Sequence, residues 1–143
     1  MASANFTNVV RHLMNGLVKF DGTQNFKVLL VSSVPSQANL DAWVNRSDVT
    51  NEITGTGYTA GGIAQAFTLQ ALNTTTHRQE VDFTDISNGW TGATFSALGA
   101  IIYLDSGSAA TDKLLCFEDF GGAVSVTASS FSINYTSFFY LQA

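Results

Sequence analysis

The stretch TFSALGAIIYLD, Thr94 to Asp105, constrains the fold more than any other part of the chain. In a strand, successive side chains point to opposite faces. Read that way, Phe95, Ile101 and Tyr103 oppose Leu98, Ile102 and Leu104. Both faces are apolar, so this segment belongs in the middle of a sheet that is covered on two sides.

Its neighbours read as strands as well. NFKVLLVSS carries Val28 to Val31 and ends at Ser-Ser-Val-Pro. AFTLQAL places Phe67, Leu69 and Ala71 on one face, and QEVDFTDI places Val81 and Phe83 on one face with acidic groups on the other. DKLLCFEDF, AVSVTA and SFSINYTSFFYL complete the set as three further strands. Turn signals rich in Gly, Ser, Asn and Asp recur roughly every ten residues. The expected fold is all-β: an antiparallel β-sandwich or barrel-like domain with one short N-terminal helix. Within a single domain, residues 1–18 form the helical segment and residues 19–143 the β domain.

The helix is read from Phe6, Val9, Val10, Leu13, Met14 and Leu17, which make one apolar stripe at 3.6 residues per turn. Ser3 or Asn5 can cap its start, and Asn15-Gly16 supplies a stop. The stretch SQANLDAWVNRSDV reads as a long loop with one turn of helix.

Charge narrows the function classes. Only 12% of residues are charged while 45% are hydrophobic, so Thr, Ser, Asn and Gln must supply the polar surface. Such surfaces suit proteins that stay packed against other proteins. The net charge is −5 and the six cations are scattered, which argues against a nucleic-acid partner. No run of 18 or more apolar residues predicts a membrane-spanning helix. The opening MASANFTNVVRHLMNG lacks a basic segment followed by an apolar run, and Cys116 is the only cysteine, so synthesis in a reducing cytoplasm is expected.

One motif invites a nucleotide reading. GTGYTAGG, Gly55 to Gly62, begins with the pattern G-x-G-x-x-G/A. A dinucleotide loop needs a buried strand before it and a helix after it. Here polar SDVTNEIT precedes it and the strand-like GGIAQAFTLQ follows. The glycines instead suit a compact turn in which Tyr58 packs its ring on the sheet, or in which a neighbouring chain approaches the backbone.

Other chemistry is equally sparse. His12 and His77 lack ligand partners at i+3 or i+4. His12 is expected at a partly exposed edge of the helix, and Cys116 as a small buried hydrophobe. Glu80, Asp82 and Asp85 read as the solvated side of a strand rather than a glycosidase pair. Glu118 and Asp119 with Asp105 or Asp112 form a weak calcium pattern. Of the aromatics Phe138, Phe139 and Tyr140, core filling is favoured over insertion into a partner. The expectation is a protein with no catalytic residues, no cofactor and no metal.

Three segments together carry a resemblance: SDVTNEITGTGYTAGG, WTGATFSALGAIIYLDSGSAATDKLL and DFGG. With a strand entry at Phe20, Asp21, Gly22 and Thr23, their order and spacing resemble a family of small structural proteins from tailed bacteriophages and prophages. The resemblance covers nearly the whole chain. It departs at Leu98, where a basic residue is expected, and in the aromatic C-terminal end. It implies a non-enzymatic virion component, foremost a capsid decoration or cement protein on the outer surface of the major capsid protein shell, forming homo-oligomers. The alternatives are a tail, baseplate or fibre-attachment component and, as a separate class, a carbohydrate-binding β-sandwich using Trp43 or Trp90. The expected contact elements are the N-terminal segment with Phe6 and Val10, the turn with Gly55, Gly57, Tyr58, Gly61 and Gly62, and the loop with Ser106 and Gly107.

Overall fold

The apolar segment does lie inside a sheet, but as part of a far longer strand. The computed structural model describes residues 3–135 and 139–142. Strands β1 (Ala4–Asn5), β2 (Asn25–Val31), β3 (Ile63–Gln65), β6 (Ile86–Asp105) and β7 (Lys113–Ile133) form one antiparallel sheet in the order β1-β7-β6-β2-β3. Strands β4 (Phe67–Leu69), β5 (Arg78–Phe83) and β8 (Phe139–Gln142) form a second, in the order β4-β5-β8. The result is an open sandwich rather than a closed barrel.

The large sheet has a core on each face. Val28, Leu30, Phe95, Ala100, Ile102 and Leu104 face the small sheet, where Val81, Phe83 and Phe139 complete the main core. Leu29, Val31, Ile101, Tyr103, Leu114 and Phe117 face the other way. That side is closed by Phe6, by Leu40 of helix α2 (Gln37–Ala42) and by Trp43 and Val49 of the following segment. The α2 turn is set by a capping box between Ser36 and Asn39.

Four expectations are corrected. Phe95 does not share a face with Ile101 and Tyr103, because strict alternation breaks between Ala97 and Ala100. There Ala97 pairs with Val124 but Gly99 pairs with Asp119, so Leu98 alone lies opposite the four residues Phe120 to Ala123. This bulge reverses which parity faces the core. A Cβ on Gly99 would stand 2.4 Å from the Phe117 ring, so the irregularity needs glycine. Second, DKLLCFEDF, AVSVTA and the start of SFSINYTSFFYL are one strand, β7, which bends at its bulges without leaving β6.

Third, the helical segment is shorter than residues 1–18. Ala4 and Asn5 pair with Phe117 and Cys116 as a strand, and helix α1 spans Asn8–Met14. It ends as the sequence signals. Gly16, at φ 67°, sends its N–H to the Leu13 carbonyl, and Leu17 sends its own to His12. That is a Schellman cap, which calls for a left-handed residue at Gly16. The apolar stripe divides: Phe6 and Val9 are buried, while Val10, Met14 and Leu17 are exposed. His12 is buried rather than at a partly exposed edge, and neither ring nitrogen has a hydrogen-bond partner.

Candidate functional site

The Gly55–Gly62 turn lies on the large sheet. A strand, β3, follows it, so the helix of a dinucleotide loop is missing. Thr56 bridges to Thr94, and a Cβ on Gly55 would stand 2.7 Å from the Thr94 carbonyl oxygen. Gly57 (φ 78°) and Gly62 (φ 69°) occupy the left-handed region. At Gly62 a Cβ would come within 1.8 Å of the Val28 carbonyl oxygen, so the turn is built for close approach to its own sheet.

Tyr58 packs as expected. Its ring lies 6.2 Å from Trp90 and edge-on to Phe95 at 5.8 Å. Its hydroxyl donates to Glu52 Oε1 at 2.8 Å and accepts the Leu30 N–H at 3.1 Å. Burial, then the charge of Glu52, pushes its pKa far above that of a free tyrosine. Glu52 Oε1 also accepts the Gly61 N–H at 2.5 Å.

The turn and the loop after Asp105 are read separately in sequence; the fold joins them. The Tyr103 hydroxyl donates to the Gly61 carbonyl at 2.6 Å. Arg46 lies over the Tyr103 ring at 5.5 Å and donates from Nε to Asp112 Oδ2 at 2.8 Å. The other oxygen of Asp112 accepts from the Ser106 backbone N–H at 2.8 Å and from its hydroxyl at 3.0 Å. Asp112 has no exposed side-chain surface. Burial raises its pKa, but the hydrogen bonds from Arg46 and Ser106 outweigh that and hold it below the usual carboxylate value. Arg46 is shifted upward, chiefly by its hydrogen bond to Asp112.

Sequence reasoning missed Arg46 as the link and gave Asp112 only a weak metal role. Local sequence gave no signal for the link, since Arg46 has Asp48 and Asp112 has Lys113 as nearer charges of opposite sign. Chemically, this network clamps two loops. Tyr58 and Tyr103 are held protonated by burial, and Arg46 is neutralised by Asp112.

The remaining candidates are dispersed. Lys27 pairs with Asp105 at 2.9 Å, and Arg78 pairs with Glu80. Asp85 accepts the Tyr135 N–H at 2.8 Å. Cys116 is partly buried, and desolvation drives its thiol upward. Among the described residues, no group of three His, Cys, Asp or Glu side chains is placed to hold a metal. Trp90 is core, and Trp43 is half-buried with its ring stacked on Phe6 at 6.5 Å. Phe139 fills the core and Tyr140 is exposed; Phe138 lies outside the described residues.

Of the expected contact residues, Phe6 and Gly61 are buried inside the chain, and Tyr58 and Gly62 are partly so. Gly55, Gly57, Ser106 and Gly107 are exposed. Val10 and Met14 (83% exposed), four residues apart, share one side of α1, and Leu17, just past its cap, is exposed as well. A cleft of about 340 Å³, lined by Leu13, Phe20, Leu69, Val81, Phe139 and Leu141, runs from the helical segment to the mouth of the small sheet. Its rim carries Leu69 and Leu141, both exposed.

Searches with the whole chain against protein-family models, curated proteins and solved structures return no match.

Proposed function

We propose that this chain is a structural protein of a tailed-phage virion, a decoration protein that binds the outer surface of the major capsid protein shell. The observation that carries the reading is the exposed apolar group of the N-terminal segment, Val10 and Met14 on one side of α1 and Leu17 just past its cap, together with the apolar cleft that Leu13 of the same helix lines. Scattered exposed hydrophobics are ordinary, whereas grouped ones mark contact surfaces. The resemblance of SDVTNEITGTGYTAGG and the segments around β6 supports the same class. The acidic net charge favours the shell exterior over contact with packaged DNA.

The mechanism is physical. A protein that binds the mature shell and not its precursor stabilises the mature state by linkage. Interfaces of standard size bury about 1,600 Å² in total, so many copies with modest contacts add up. The clamp through Arg46 and Asp112 holds the turn and the Ser106–Gly107 loop in fixed positions, ready to meet a regular lattice.

The test is add-back. Purified protein should sediment with shells that lack it and restore their retention of DNA on heating. Met14→Glu should remove binding while leaving the melting temperature unchanged. Labelled protein found only on tails in micrographs would replace the head-surface reading with the tail alternative.

A further inference from the structure

Strand β7 has an edge that the chain uses only in its first half. β6 pairs along its inner side; on the outer side Asn45 bridges to Lys113, β1 pairs with Cys116 and Phe117, and the Ser3 hydroxyl oxygen accepts the Asp119 N–H. Among the described residues, no strand pairs with the outer side beyond that. Exposed edges are normally blunted by charge, proline or bulges. From Phe120 onward the sequence has no Asp, Glu, Lys, Arg, His or Pro. Bulges occur, but they bracket rather than break the run: Phe120 to Ala123 on one side and Ala128, at φ 46°, on the other. Between them Val124, Ser125 and Val126 pair in unbroken register with Ala97, Ser96 and Phe95.

We infer that this edge pairs with the same edge of a second copy, antiparallel, about a two-fold axis through Ser125. Three observations single out a second copy. An edge without charge meets itself with no like-charge cost, although the whole chain is at −5. An antiparallel match must place same-face residues opposite each other, and centring on Ser125 does so. Val124 then faces Val126 of the second copy, on the side where Ala97 and Phe95 join the main core. On the other side Ser125 faces Ser125, extending the Ser125–Ser96 hydroxyl pair, whose oxygens are 3.0 Å apart. Val124 is 41% exposed in the single chain, and beside it lies a cleft of about 200 Å³ in which Phe120, Val124, Phe131 and Ile133 offer apolar surface and Glu118 and Asp119 supply the charge at its far end, before the uncharged run begins. This pairing does not depend on shell binding through α1, and either can fail alone.

Cysteine cross-linking in a Cys116→Ala background, with sedimentation of the unmodified chain, tests it. Ser125→Cys should oxidise to one disulfide-linked dimer. Thr127→Cys should not, because its two copies would be offset by four residues, roughly 14 Å along the strands. Sedimentation should show a concentration-dependent dimer, and Ser125→Lys should weaken it by up to about fivefold by placing like charges opposite each other, with the melting temperature of the monomer unchanged. A monomer up to the solubility limit, or equal cross-linking at both positions, overturns the pairing.

Discussion

The hydroxyl of Tyr103 donates to the carbonyl oxygen of Gly61 at 2.6 Å, joining the middle of the large sheet to a turn 42 residues earlier. Tyr103 is 1% exposed. Tyr103→Phe removes the donor and leaves a carbonyl without it, at a cost of about 1–3 kcal/mol. Urea unfolding should show a lower midpoint with an unchanged slope.

Asp112 holds the other end of that network. Asp112→Ala strands Arg46 and the Ser106 N–H, and breaking a buried pair by removing one partner typically costs about 3–5 kcal/mol. The pH dependence has a definite sign. The folded pKa lies below the unfolded value of about 3.9. The stabilisation is therefore present above that value and fades as pH falls through the folded pKa. Wild type should lose stability in this acid range more steeply than Asp112→Asn, measured by unfolding midpoints.

His12 acts in a milder range. Burial first, then the charges of Lys113 and Arg11, lower its pKa. The unfolded chain takes up a proton near pH 6.5 while the folded chain resists it. Stability should thus decline as pH drops below about 6.5. His12→Phe should flatten the unfolding midpoint between neutral pH and the folded pKa.

Glycines in the two loops should behave differently. Gly62→Ala drives a Cβ into the Val28 carbonyl, whereas Gly107→Ala, at φ 91°, meets nothing within 4 Å. The second substitution should cost only backbone strain, on the order of 1–2 kcal/mol. The first should cost more and disturb β2–β3 pairing. Gly57→Val should likewise lower the melting temperature more than Thr56→Val. Equal melting temperatures for Gly62→Ala and Gly107→Ala would count against the close approach.

The N-terminal segment separates core from contact surface. Phe6→Ala should cost about 3–5 kcal/mol, as for other buried aromatics. Met14→Ser should change stability by no more than about 0.5 kcal/mol, because the side chain is exposed. Deleting the segment through Gly16 should destabilise the domain as well as weaken attachment, since Phe6 and Val9 are core residues. Thermal melts beside shell-binding assays separate these effects.

Local pattern determined the all-β class, the run of β2, the Val81–Phe83 face of β5 and the stop at Gly16. Each depends on neighbours in sequence: a period of two, a period of 3.6, or a residue that must adopt positive φ. Tertiary structure decided the rest. Whether Phe95 joins Ile101 or opposes it depends on a bulge made by the partner strand. Which half of the α1 stripe is buried depends on what docks against it, and Val10 and Phe6 look alike in sequence. The Arg46–Asp112 pair spans 66 residues. No local signal encodes such a contact, because it exists only once β6 and β7 have brought the loop after Asp105 back to the segment after α2.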